Sequence, residues 1–206
     1  MYARSTTIEG RPGAIDDAVA AVREHLLPAA LDTDGCVGLS VLVDRASGCC
    51  VLTSAWRDAG TLHAGEAGLA THHDQVAAIL HGQPEDEEWE IAAVHRDHAS
   101  GPGACVRTVR VHVEPDAADH AVDLYRTVLL PQIQEFEGFC SASLLVDRPS
   151  GSAVSSVTFD SRGAMRHTRS LAAVVREEGS REASGEVLDV AEFELALAHL
   201  RVPELV

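Results

Sequence analysis

The chain has 206 residues, a length that allows either one large domain or two domains of about 100 residues each. Hydrophobic residues make up 46% of the chain, which argues against disorder, and the formal net charge of −16 makes nucleic acid and anionic membranes poor partners. No apolar run approaches the roughly 18 residues that a membrane span needs, and residues 1–7 show no signal-peptide core. We therefore expect a soluble, cytoplasmic protein.

The residue inventory excludes several chemistries. The sequence contains no Lys and no Asn, which rules out Schiff-base catalysis, a Walker A lysine and any site that depends on Asn. The five cysteines are odd in number and show no CxxC spacing, so they indicate reduced thiols rather than a disulfide framework or a zinc knuckle. We expect no metal site and no bound cofactor.

The chain repeats itself at an offset of 103 residues. Residues 2–60 align with residues 105–163 without a gap, and 20 of these 59 pairs are identical. The longest shared stretch reads Leu-Val-Asp-Arg-x-Ser-Gly in both copies. The sequence therefore predicts two tandem repeats, residues 1–97 and 105–206, joined by a Gly/Pro-rich linker at 98–104.

Each repeat predicts the same order of elements, β-α-β-β-α-β, which is that of a ferredoxin-like α+β unit. In the first repeat the predicted elements are a strand Arg4–Glu9, a helix Asp17–Leu31, hairpin strands Val37–Val43 and Cys50–Trp56, a helix near 60–81 and a strand near Trp89–Val94. In the second they include strands Cys105–Val113, Ser141–Val146 and Ala153–Phe159, a helix near 161–178 and a strand Val187–Leu195.

The hairpin strands carry apolar residues on both faces, whereas the helices of a ferredoxin-like unit cover only one face. The second face needs another cover, and the other repeat can supply it. We therefore expect a sheet-on-sheet or barrel-like pseudo-dimer within one chain, as a monomer or as a homodimer of pseudo-dimers.

The opening strand, the helix Asp17–Leu31, Gly35 and the strand Val51–Trp56 followed by a His-rich helix form a recognisable pattern. This pattern resembles the antibiotic-biosynthesis-monooxygenase (ABM) group of the dimeric α+β barrel superfamily. The resemblance implies two tandem ferredoxin-like repeats packed as an intramolecular dimeric α+β barrel. It also implies a cofactor-independent monooxygenase that acts on a small aromatic or polyketide-like substrate.

Two other functions stay open beside this one. The first is a non-catalytic protein that binds a small hydrophobic molecule, and the second is haem binding through a His. The haem-degrading branch of the superfamily needs an Asn on the first strand, which this chain lacks, and its His spacing after Trp56 differs.

Candidate site residues follow from the repeat and from the resemblance. Trp56 either lines a ligand pocket or fills the core at a strand end. One of His72 and His73 could act as a general base, since neighbouring helical residues point about 100° apart, or both lie on a solvated helix face. We expect the working pocket beside Trp56, in the first repeat.

Arg4 and Arg107 occupy equivalent positions on the first strand of each repeat, where they either bind a carboxylate or phenolate or form ion pairs with acidic residues. Further substrate-binding candidates in the second repeat are His112, Tyr125, Phe159 and His167.

Overall fold

A computed structural model describes the backbone of residues 1–206 and every side chain except that at position 66. The first repeat contains β1 (Tyr2–Glu9), α1 (Ile15–Ala21), α2 (Leu27–Asp32), β2 (Cys36–Asp44), β3 (Cys49–Trp56), α3 (Ala59–Leu80) and β4 (Pro84–Arg96). The second contains β5 (Cys105–His112), α4 (Ala118–Leu124), α5 (Leu130–Gln134), β6 (Phe139–Asp147), β7 (Ser152–Phe159), α6 (Arg162–His167), α7 (Arg169–Glu182) and β8 (Glu186–Leu200). The predicted α+β class and the β-α-β-β-α-β order are confirmed.

The first helix of each repeat is interrupted at the same place. A π-helical turn, Val22–Leu26, separates α1 from α2, and Tyr125–Leu129 separates α4 from α5. Pro28 and Pro131 stand two residues after the last residue of these turns. Proline has no N–H, and its ring clashes with the carbonyl four residues earlier, so the turn before it widens.

Contacts divide the chain into two compact units. Unit 1 comprises Met1–Trp89 with Leu195–Val202, and unit 2 comprises Glu90–Glu194 with Pro203–Val206. The linker predicted at residues 98–104 separates the two sequence repeats rather than these two units. It stays a prediction.

Strands β4 and β8 are longer than predicted, and each contributes residues to both units. In unit 2, β4 pairs with β6 from Glu90 onward and β8 pairs with β5 up to Glu194. In unit 1, the continuation of β8 reaches β2, where the backbone N–H of Arg201 donates to the carbonyl of Val37 at 2.8 Å. The eight strands follow the closed barrel order β1-β3-β2-β8-β5-β7-β6-β4.

The core of unit 1 lies between its sheet and the helices that cover one face of it. The 22-residue helix α3 contributes a row of buried side chains at helical spacing, namely Leu62, Leu69, Val76 and Leu80. The side chain of Asp58 caps the start of this helix by accepting the backbone N–H of Thr61 at 2.8 Å.

The core of unit 2 is covered by two shorter helices where one was predicted. The chain leaves α6 at Thr168, whose hydroxyl donates to the carbonyl of Met165 at 3.0 Å, and continues as α7. The two repeats still correspond at an offset of 103 residues after this break. His81 and Ser184, which are 103 residues apart, both have left-handed φ values, of 56° and 52°. A Gly follows each of them, Gly82 and Gly185.

No helix among the described residues is both long and apolar enough to cross a membrane.

Candidate functional site

Unit 2 contains a cavity of about 130 Å³ between its sheet and helices α4, α5 and α7. Its walls are mostly aliphatic, and they include Val109, Val111, Ile133, Leu144, Val146 and Val157. Arg176 and Ser180 lie on the wall at a place where both side chains are only partly buried. The cavity therefore suits an apolar ligand and has polar groups at one end.

Small residues on α7 create this cavity. At the offset of 103 residues, three buried aliphatic residues of α3 are replaced by smaller ones on α7 or directly after it, the pairs being Leu69/Ala172, Val76/Gly179 and Leu80/Ala183. The three smaller residues line the cavity, whereas their counterparts fill the core of unit 1. Leu129 occupies the place beside Gly179, so the space follows from the smaller side chains of Ala172 and Ala183.

A hydrogen-bonded pair of hydroxyl groups lies on the cavity wall. The hydroxyl of Ser155 donates to that of Tyr125 at 3.2 Å, and the Tyr125 hydroxyl donates to the carbonyl of Ser143 at 3.5 Å. Burial raises the pKa of Tyr125 to about 12, so the phenol stays protonated near neutral pH. The pair can orient a polar group of a ligand, but Tyr125 cannot serve as a base there.

Arg107 brings a buried positive charge to the same wall. Its side chain is only 4% exposed, and its guanidinium lies 5.5 Å from the centre of the Phe159 ring. Nη2 donates to the carbonyl of Met165 and, at 3.1 Å, to Glu192, while Nη1 is buried and has no hydrogen-bond partner among the described atoms. A buried N–H group without a partner is costly, so Nη1 is suited to a ligand oxygen.

Glu192 holds Arg107 in place from β8. Burial by itself would raise the pKa of Glu192, but hydrogen bonds from Arg169 and Arg107 outweigh it and lower the pKa below its usual value. Arg169 approaches the same carboxylate at 2.6 Å from the exposed side. Of the alternatives left open for Arg107, the ion pair is therefore present, and one of its nitrogen atoms is left for a ligand.

Trp56 does not line this cavity, and the expectation of a working pocket next to it stays a prediction. The indole is 2% exposed in the core of unit 1, and its N–H donates to the hydroxyl of Ser54 at 3.0 Å. A Cβ atom added to Gly65 would lie 2.4 Å from the indole ring. The indole ring thus fills the space that Gly65 leaves. At the offset of 103 residues, Phe159 and Thr168 occupy the corresponding positions of the second repeat.

The other candidates of the first repeat also lie outside the cavity. His72 and His73 are half-buried on α3, and burial lowers the pKa of His73. Neither therefore lies on a fully solvated face, and their role as bases stays a prediction. Arg4 forms an ion pair with Glu88 at 3.5 Å.

Only some of the substrate-binding residues predicted in the second repeat lie together at the cavity. Arg107, Tyr125 and Phe159 line the cavity. His112 is half-buried near the end of β5, and His167 is exposed on α6; neither is part of the described cavity wall. Sequence reasoning missed Ser155 on β7 and the small residues of α7. Aligning α7 with α3 at the same offset would have pointed to the small residues, but not to Ser155.

The chain is 53% identical over 206 residues to the uncharacterised protein Rv2557 of Mycobacterium tuberculosis, covering 100% of this chain and 92% of that one. It is 50% identical over 207 residues to the uncharacterised protein Rv2558 of the same organism, with coverages of 100% and 88%. No protein-family model matches the chain.

Several solved structures share the fold at low sequence identity. A candidate monooxygenase of Fusobacterium nucleatum has a TM-score of 0.72 and 10% identity, over 97% of this chain and 94% of that one. An anthrone oxidase-like protein has a TM-score of 0.68 and 14% identity, over 100% and 94%.

A third is a ferredoxin-fold protein of Listeria monocytogenes related to antibiotic biosynthesis monooxygenases, with a TM-score of 0.54 and 11% identity over 95% and 94%. The chain therefore belongs to the family that contains Rv2557 and Rv2558, and its fold is that of the ABM-like dimeric α+β barrel proteins.

Proposed function

We propose that unit 2 binds a small aromatic, polyketide-like molecule in its cavity and oxidises it with O₂, as a cofactor-independent monooxygenase of the ABM type. The observation that carries the proposal is the buried guanidinium of Arg107, whose Nη1 has no partner among the described atoms, on a mostly apolar wall. An aromatic ring would fill the apolar space, and its hydroxyl or carbonyl oxygen would accept the unused N–H.

The size of the cavity limits the part of the substrate that it can enclose. An apolar cavity of about 150 Å³ holds benzene, so about 130 Å³ suits one aromatic ring. A substrate with several fused rings would extend past Arg176 and Ser180, where the wall is only partly buried.

The reaction requires no electron donor besides the substrate. The activated CH₂ group of a phenolic substrate loses one proton, and the resulting carbanion, whose charge is shared with the neighbouring ring oxygen, adds O₂ at that carbon to form a C–O bond. The peroxide that forms takes the proton back. The O–O bond then breaks, one oxygen stays as a carbonyl, and the other leaves as water with the two hydrogens of the CH₂ group. Arg107 would stabilise the anion, since a guanidinium lowers the free energy of a nearby phenolate.

One observation favours a second function, the binding of such a molecule without chemistry. The described cavity wall contains no His, Asp or Glu, so no ordinary base faces the ligand. Arginine side chains do not act as bases in proteins and Tyr125 stays protonated, so proton removal would depend on the acidity of the bound substrate itself. The same wall offers no His for haem, so haem binding gains no support.

The experiment measures binding and O₂ uptake on the same samples. We expect hydroxyanthrones or substituted phenols to bind to the intact chain and to consume O₂. Ala172→Leu fills the cavity as Leu69 fills unit 1, so we expect it to weaken binding at least tenfold. Ala70→Leu adds the same side chain to an exposed position of α3 and serves as the matched control.

The outcomes separate the two functions. Binding without O₂ uptake identifies a binding protein. The absence of binding by every compound, or equal binding by wild type and Ala172→Leu, would overturn the assignment to this cavity.

We also propose that the protein works in the cytoplasm. All five cysteines are free thiols, which supports a reducing compartment.

A further inference from the structure

Three metal-ligating side chains meet on the surface of unit 2, away from the cavity. They are His98 after β4, Cys140 on β6 and Asp160 directly after β7. One ligand atom from each lies within 4.8 Å of the other two. The sequence shows no metal motif here because Cys140 and Asp160 are 20 residues apart and His98 and Asp160 are 62 apart.

The distances within this cluster approach those of a tetrahedral metal site. Nε2 of His98 lies 3.0 Å from Oδ1 of Asp160, and Sγ of Cys140 lies 3.2 Å from the same oxygen. Zinc bonds of 2.0–2.3 Å at tetrahedral angles separate ligand atoms by about 3.3–3.6 Å. The two distances to Asp160 therefore need to lengthen by only a few tenths of an ångström to match a zinc site, and the third pair of ligand atoms lies within 4.8 Å.

The surroundings orient the ligands as metal sites do. Nδ1 of His98 lies 2.8 Å from the carboxylate of Asp97, an arrangement that leaves Nε2 for a metal. The backbone N–H groups of Asp97 and His98 both donate to the carbonyl of Cys140, at 2.9 and 3.3 Å, and fix His98 beside the thiol. The backbone N–H of Asp160 donates to the carbonyl of Gly138 at 2.8 Å.

The fold itself does not require this cluster. At the offset of 103 residues, Val37 and Arg57 replace Cys140 and Asp160 in unit 1, where Arg57 pairs with Asp34 at 2.7 Å. The backbone N–H of Arg57 donates to the carbonyl of Gly35 at 2.9 Å, as that of Asp160 does to Gly138, so this backbone arrangement forms without the three ligands. In unit 1 the ion pair between Arg57 and Asp34 takes the place of the cluster.

We propose that His98, Cys140 and Asp160 bind one Zn²⁺ ion, with water in the fourth position. A neutral imidazole, a thiolate and a carboxylate balance the two charges of the ion, and the mixture of N, S and O ligands suits zinc better than magnesium or calcium. The side chains of His98 and Asp160 are 43% and 52% exposed, so the ion can enter from solvent, while the thiol is buried.

The test uses the untagged full chain, because a His tag would bind the same metals. Addition of Co²⁺ should produce a thiolate-to-cobalt absorption band at a stoichiometry of one ion per chain, and Zn²⁺ should abolish it by displacement. Cys140→Ser should remove the band, whereas Cys36→Ser, which changes a half-buried thiol of unit 1, should keep it.

Because Cys140 is buried and its replacement could impair folding, His98→Gln provides a second variant at an exposed position. We expect it to weaken Zn²⁺ binding at least tenfold, measured by competition with a chromophoric chelator. Absence of the cobalt band in the wild type, or the same Zn²⁺ affinity in His98→Gln as in the wild type, would overturn the proposal and leave an ion pair among these residues.

Discussion

Leu69 and Ala172 are 103 residues apart on equivalent helices of their units, and Leu69 packs in the core of unit 1 whereas Ala172 borders the cavity of unit 2. The difference between the two units is thus one of side-chain volume on a shared backbone.

This relationship predicts opposite effects of exchanging the two side chains. We expect Leu69→Ala to lower the free energy of unfolding by about 2–5 kcal/mol, because it leaves a cavity in a filled core. Ala172→Leu should raise it by about 0.5–2 kcal/mol, since the space for the larger side chain already exists. Urea denaturation of both variants measures these changes, and a loss of stability in Ala172→Leu comparable to that in Leu69→Ala would contradict the account.

Two glycines of α3 should respond oppositely to the same substitution. Gly65→Ala would place a Cβ atom 2.4 Å from the Trp56 ring, so we expect a loss of about 1–3 kcal/mol despite the better helix propensity of Ala. Gly68 is exposed and has nothing within 4 Å of its added Cβ, so Gly68→Ala should gain about 0.5–1 kcal/mol. Thermal and urea unfolding, followed by tryptophan fluorescence, measure both, and equal effects would refute the packing of Trp56 on Gly65.

Arg107 and Arg169 both bind Glu192. We expect the removal of Glu192 and the removal of Arg169 to lower the free energy of unfolding by different amounts. Glu192→Ala strips the carboxylate from the buried Arg107, so we expect a loss of about 2–3 kcal/mol. Arg169→Ala removes a partner that is 63% exposed and leaves the pair with Arg107 intact, so its cost should stay below about 1 kcal/mol. The unfolding free energies at neutral pH test this order, and a larger loss in Arg169→Ala would reverse the assignment.

Burial of His73 predicts a pH dependence of stability. Burial lowers its pKa below the unfolded value of about 6.5, against the opposing effect of Asp86, so the unfolded state takes up a proton first as the pH falls. Stability is therefore lost as the pH drops through about 6.5. We expect the difference in unfolding free energy between pH 7.5 and 5.5 to be smaller in His73→Gln than in the wild type.

The exposed His120 offers a control for the pH experiment. His120→Gln should keep the wild-type difference between the two pH values. If the difference in unfolding free energy between pH 7.5 and 5.5 is the same in His73→Gln as in the wild type, the His73 side chain is not shielded from water.

The duplication made the fold predictable from the sequence, because each helix and hairpin was supported by two copies. The full lengths of β4 and β8 were not predictable, since each strand continues past the residue at which the chain passes from one unit to the other, and the predicted repeats gave no signal for that. The break before α7 was also missed, because Thr168 is compatible with a helix and only its contact with Met165 shows the change of direction.

The cavity could not be found by searching for chemically active residues. Trp56 suggested a pocket because of its size, but a large ring beside Gly65 fills space rather than lining it. The cavity instead follows from Ala172 and Ala183, which have no reactive groups and matter only through the atoms that they lack. The cluster at Cys140 was missed for another reason, since its members come together only through folding.

Strands β4 and β8 each contribute residues to both units, and this affects where the chain can be cut into fragments. A fragment that stops in the linker after residue 97 lacks the segment Leu195–Val202, and a fragment that starts at residue 105 lacks the part of β4 that borders β6. Each fragment on its own would expose an unpaired strand edge, which favours aggregation. Fusing the two copies in one polypeptide therefore ensures that each half is made together with the piece that completes it.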